Sequence, residues 1–155
     1  MPYLLLIVTV LFSACSVKHY EHNSSKIIII KSPKIKFADL GYIRHSKSSV
    51  ALELFVAGTP IEKIEINHLI CVSAGCMSKG GFNDDYLHAS YPDNLLQNIV
   101  LGSEIYDGEN RVQTDDGFEQ KISSKDVTIT YRVSSKMIYF KDKKNRIIFK
   151  IKDTQ

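Results

Sequence analysis

Apolar side chains recur at every second position along most of this chain, and that period admits few folds. Val50, Leu52, Leu54 and Val56 share one face of an extended segment, with Ala51, Glu53 and Phe55 on the other. Gly58, Thr59 and Pro60 break the run, and Ile64 with Ile66 resumes it between Lys63, Glu65 and Asn67. Val127, Ile129, Tyr131 and Val133 alternate with Thr128, Thr130 and Arg132, and Met137 to Phe140 and Arg146 to Lys152 complete the set. Nearer the start, Ile35 and Phe37 alternate with Lys34 and Lys36, while Ile27 to Ile30 reads as a continuously buried strand. Asp116-Gly117 and Asp142 to Asn145 are turn signals. Strands punctuated about every ten residues predict an antiparallel, meander-like sheet.

The middle of the chain departs from this period. Phe82 to Ser90 predicts a short helix, with Asn83 as its cap and Asp84 and Asp85 in its first turn. After Pro92, Asp93 is placed to cap a second helix in which Leu95, Leu96, Ile99 and Val100 follow helical spacing and Gly102 ends it. The order is sheet, short helices, then sheet.

At the N-terminus an apolar run from Leu4 to Val10 leads into Leu11-Phe12-Ser13-Ala14-Cys15. This resembles a bacterial lipoprotein signal with its lipobox. The resemblance implies cleavage before Cys15, a diacylglycerol on its thiol and an acyl chain such as palmitate on its new amine. An ordinary secretory signal and an N-terminal core strand are the alternatives. The run is too short for the roughly 20 residues that span a bilayer. Residues 1–14 are thus expected to be a signal peptide, 15–25 a lipidated start and polar tether, and 26–155 one β-rich periplasmic domain. Ser16, rather than Asp, follows the cysteine, which favours the outer membrane.

With Cys15 acylated, Cys71 and Cys76 remain as an even pair in an exported chain. Directly opposed residues of a tight hairpin lie close enough for a disulfide. A zinc site would need further ligands nearby, and a redox pair usually has two intervening residues, so a structural disulfide is expected. Lys and Arg cluster late, at Lys136, Lys141, Lys143, Lys144, Arg146, Lys150 and Lys152, within a net charge of +3. Strand alternation accounts for them as a solvated face; attraction to anionic lipid head groups is the lesser reading. Partnership with nucleic acid is not expected.

No catalytic constellation is visible. His19 and His22 fall in the expected tether, and His68 and His88 each lack a nearby carboxylate or thiolate arrangement that would make a base or ligand obvious. Asp84-Asp85 and Asp115-Asp116 suit caps and turns, and no phosphate loop or nucleophile elbow occurs. The expectation is a non-enzymatic protein without metal or cofactor. What remains is apolar surface on one side of a sheet, with few helices to cover it. A curved sheet can leave a lined cavity there, or pack into a solid core.

Residues 91–155 resemble the C-terminal half of the LolB family, outer-membrane lipoproteins that receive other lipoproteins from a periplasmic carrier. Pro92, Leu95, Leu96, Ile99, Leu101 and Gly102 match its amphipathic helix and Leu-Gly turn. Phe118 to Gln120, Val127 to Tyr131, Met137 to Phe140 and Ile147 to Asp153 match its last strands in order. Leu52 to Gly58 is similar to the family strand that runs into an apolar loop, which implies a membrane-facing role for Phe55, Val56 and Ala57. The resemblance implies a curved sheet or half-open barrel with helices over one mouth. Leu52, Leu54, Ile64, Ile66, Ile129 and Tyr131 would line a concave cavity for acyl chains or lipidated proteins, and Leu96, Ile99 and Val100 would form its lid. The alternative is a structural or assembly lipoprotein with a solid β core, working through its surface.

Overall fold

The alternating segments become strands of a single sheet in a computed structural model that describes residues 20–154. The first half of the sheet is β1 (His22–Lys31), β2 (Lys36–His45), β3 (Val50–Val56), β4 (Thr59–Ile66), β5 (Ile70–Val72) and β6 (Gly75–Met77). Helices α1 (Lys79–Tyr86) and α2 (Leu95–Leu101) follow. The second half is β7 (Arg111–Thr114), β8 (Gly117–Ser123), β9 (Thr128–Ser134), β10 (Met137–Asp142) and β11 (Ile147–Asp153). The spatial order is β6-β5-β4-β3-β2-β1-β11-β10-β9-β8-β7, with antiparallel neighbours throughout. Two meanders are therefore joined where the first strand meets the last, Ile28 opposite Ile151. β6 and β7 stand at opposite edges, and the sheet does not close into a barrel.

One face of this curved sheet is buried and the other is wet. Ile28, Ile43, Leu52, Leu54, Ile64, Tyr131, Phe140 and Phe149 all belong to the same core as Phe82, Leu96 and Ile99 of the helices. Period-two alternation is the direct cause, because every second side chain must face the helices. Gly41 is needed on the inner face. A Cβ there would sit 2.5 Å from Ile28 Cδ1 and 2.8 Å from Glu53 O.

Four sequence expectations are corrected. β1 begins at His22, so residues 22–25 pair with β2, His22 opposite His45 and Ser25 opposite Tyr42, instead of forming a tether. Ile27 to Ile30 is a half-buried strand: Ile28 is 0% exposed and Ile27 42%, because only one face is covered. α1 is capped by Ser78, whose Oγ accepts from Gly81 N at 3.0 Å, and Asn83 lies buried inside the helix. Asp93 does not cap α2; Asn94 holds that position without a side-chain bond, while Gly102 ends the helix at φ 66° as expected.

Candidate functional site

The nine side chains expected to line a cavity converge on one place. Leu52, Leu54, Ile64, Ile66, Leu96, Ile99, Val100, Ile129 and Tyr131 lie on the concave face or on the helix over it, all within one core. Their exposure runs from 0 to 3%. A hollow wide enough for an acyl chain would leave its walls accessible to a water-sized probe. The concave face is therefore filled in this structure, by the helical segment and by the sheet's own side chains. Val100 also borders a half-open cleft of about 280 Å³, between the end of α2, the start of β1 and the β9–β10 turn. Its rim carries Lys26, His45 and Lys136, and its floor Ile43, Ile138 and Ile151.

The segment from Ser78 to Asn110 covers the concave face. Phe82, Leu87, Tyr91, Leu95, Leu96, Ile99, Val100 and Ile105 bury their side chains beneath it. It connects β6 to β7, the two sheet edges, and contributes no strand to the ladder. Asn83 ties its own turns together, donating from Nδ2 to Tyr91 O at 3.0 Å and Pro92 O at 3.2 Å.

Three polar side chains of the sheet pin this cover. Asp142, at the end of β10, is fully buried and accepts from Tyr91 Oη at 2.7 Å. It also accepts from the backbone N–H groups of Thr128, Lys144 and Asn145 and from Asn145 Nδ2. Burial alone would raise this carboxyl's pKa, but the donors from Tyr91, Thr128 and Asn145 outweigh it and hold the pKa low. Burial, then the bond to Asp142, drives the Tyr91 hydroxyl far above its ordinary range. Gln120 on β8 accepts from Ile105 N at 2.9 Å and donates to Ile105 O at 2.8 Å and Glu109 O at 2.7 Å. Tyr131 Oη donates to Ser103 O at 2.9 Å, with Asn98 O 3.3 Å away. Tyr106, beside this network, has a buried hydroxyl without a hydrogen-bond partner among the described residues; burial, then the charges of Asp142 and Glu109, push its pKa up to about 12.

Sequence reasoning missed two of these pins. Asp142 was legible only as a turn residue, although Asx chemistry is what organises the β10–β11 turn. Gln120 left a clearer signal. It occupies the inward position between Phe118 and Ile122, where an amide must find partners.

The expected membrane-facing loop is the β3–β4 hairpin. Ala57 and Gly58 take positive φ of 49° and 81°, as a two-residue primed turn requires. Val56 and Ile61 are 46% and 51% exposed. Phe55 is only half exposed, its ring edge-on to Tyr42 with centroids 5.3 Å apart. Cys71 and Cys76 form a disulfide as directly opposed residues of β5 and β6. Cys15, residues 1–14 and the start of the expected tether lie outside the described residues. Among the described residues no group of three His, Cys, Asp or Glu could hold a metal ion, and no helix is long and apolar enough to cross a membrane. Comparison with known protein families, characterised proteins and solved structures returns no match.

Proposed function

We propose that this protein is a non-enzymatic receptor for acyl chains or lipidated proteins, similar in role to the LolB family and anchored through Cys15 at the periplasmic face of the outer membrane. The observation that carries this reading is the place of the cover in the chain. A segment that joins the two edge strands can lift from the concave face without breaking any strand pairing. Beneath it lies continuous aliphatic and aromatic surface. Magnitudes favour partial opening. Lifting α1 alone exposes Phe82 and Leu87 and breaks the two Asn83 hydrogen bonds, a cost of about 4–9 kcal/mol, whereas an acyl chain of about 14 methylenes gains about 11 kcal/mol on burial. The exposed apolar tip around Val56 and Ile61 supports a role for the β3–β4 hairpin at the membrane.

The full burial of the nine residues favours a second reading, a structural or assembly lipoprotein with a solid core. One experiment separates the two. All strands and helices of the described residues fall within 22–153, so a chain beginning at Lys18 keeps each of them. It is expected to bind a fluorescent fatty acid saturably, with faster hydrogen exchange in residues 79–86 when loaded. Ile129→Glu weakens uptake because a carboxylate on the apolar face must be desolvated, and Thr130→Glu on the opposite face leaves it unchanged, with circular dichroism confirming both folds. Absence of saturable binding, or equal loss in the two variants, hands the case to the solid core.

A further inference from the structure

Strand pairing gathers cations from distant parts of the sequence onto the outer face of the sheet. Lys150 and Lys152 of β11 and Lys141 of β10 face outward, and the register sets Lys31 and Lys36, from the β1–β2 hairpin, on the same side. Lys31 and Lys36 are directly opposed, an arrangement that costs stability between like charges. None of these lysines makes an ion pair among the described residues. The acids of these strands all fall on the other face. Asp39 pairs with Ile28, Asp142 with Ile147, and Asp153 with Lys26. Amid the lysines, Ile27 and Leu40 sit directly opposite each other and are 42% and 37% exposed.

We propose that this outer face of β2, β1, β11 and β10 docks onto an anionic lipid bilayer. Charge complementarity and the exposed aliphatic pair carry the proposal together. The lysines draw the face to acidic head groups, which relieve their mutual repulsion, and Ile27 and Leu40 enter the interfacial layer. A nucleic-acid surface would favour free arginines for bidentate phosphate contacts. Here Arg44 and Arg132, which flank the patch, are each engaged by a glutamate, Glu53 and Glu119. The proposal is independent of the concave face and of Cys15.

The test uses the chain from Lys18, which lacks any acyl anchor, with vesicles of phosphatidylcholine alone or mixed with phosphatidylglycerol. Sedimentation with the mixed vesicles alone is expected, and its loss at about 0.5 M salt. Each lysine at such a surface multiplies partitioning about fivefold, so Lys141→Gln, Lys150→Gln and Lys152→Gln together lower it about a hundredfold. The same charge change in turns, Lys47→Gln, Lys125→Gln and Lys136→Gln, lowers it far less. Fatty-acid uptake is unchanged in the first triple variant, which separates this result from that of the receptor reading. Equal binding to both vesicle types, no binding to either, or equal loss in both triple variants overturns the proposal. So does tighter association with duplex DNA or RNA that the first triple variant abolishes.

Discussion

The two halves of the sheet hold the same cover by different means. In β7–β11, Phe118, Tyr131, Phe140 and Phe149 run edge-to-face with centroids 5.8 to 6.3 Å apart, and Gln120, Tyr131 and Asp142 rise from this surface to grip the cover. In β1–β6 the inner face is mainly aliphatic, built from Ile28, Ile43, Leu52, Leu54, Ile64 and Ile66 with Phe37 as its buried aromatic ring. Among the described residues, its polar contact with the cover is Lys34, which reaches Asp85 at 3.7 Å and lies 5.0 Å from the Tyr86 ring centre. Hydrogen bonds are directional and fix a position, whereas aliphatic burial is indifferent to small slides. The cover is thus pinned by hydrogen bonds to the C-terminal half and rests on the N-terminal half. Opening is expected to begin at α1.

Asp142 is the strongest test of that contrast. Asp142→Asn keeps a carbonyl oxygen for the backbone N–H groups of Thr128, Lys144 and Asn145 but sets an NH2 against the other two donors, Tyr91 Oη and Asn145 Nδ2, at a cost of about 3 kcal/mol. Thermal melts measure it. The sign with pH follows from the depressed pKa. The carboxylate's stabilisation is complete above the unfolded-chain value of about 3.9 and is lost as pH falls through the lower folded value. Wild type should therefore lose stability steeply on acidification in that window, and Asp142→Asn less steeply. Parallel acid profiles for the two would break the contrast.

The contrast also explains what the sequence disclosed. The antiparallel sheet, the Cys71–Cys76 pair, the end of α2 at Gly102 and the shared face of Leu52, Leu54, Ile64, Ile129 and Tyr131 all follow from period, spacing and turn chemistry, which are local. The pins do not. Tyr91 and Asp142 are 51 residues apart, and nothing near either announces the other. Asn83 looked like a cap because its side chain favours local backbone partners, yet burial redirected it to Tyr91 O and Pro92 O. Ile27 to Ile30 looked wholly buried because a run of isoleucines does not say whether one face of its sheet is covered or two.

Tyr91→Phe should have a middling effect. It removes one hydroxyl and keeps the ring that meets Phe140 edge-on at 6.1 Å. Loss of a single buried hydrogen bond to a charged acceptor costs about 1.5–2 kcal/mol. If the cover is pinned to this half, native-state hydrogen exchange should accelerate in residues 91–105 more than in α1. Equal acceleration along the whole cover would mean that it moves as one body.

The smallest effect is expected at Lys34, and it carries the most information about direction. Lys34 and Asp85 are 53% and 59% exposed, so their ion pair is screened by solvent and Lys34→Ala should change global stability by no more than about 0.5 kcal/mol. Local opening is a different quantity, because a segment held by few bonds can detach far below the free energy of unfolding. If α1 is the free end, Lys34→Ala should leave the melting temperature nearly unchanged while amide exchange in residues 79–86 accelerates and exchange near Gln120 does not. An unchanged α1 would show that Phe82 and Leu87 alone hold it to the sheet. Acceleration near Gln120 instead would place the free end on the opposite side, and the two halves of the sheet would exchange roles.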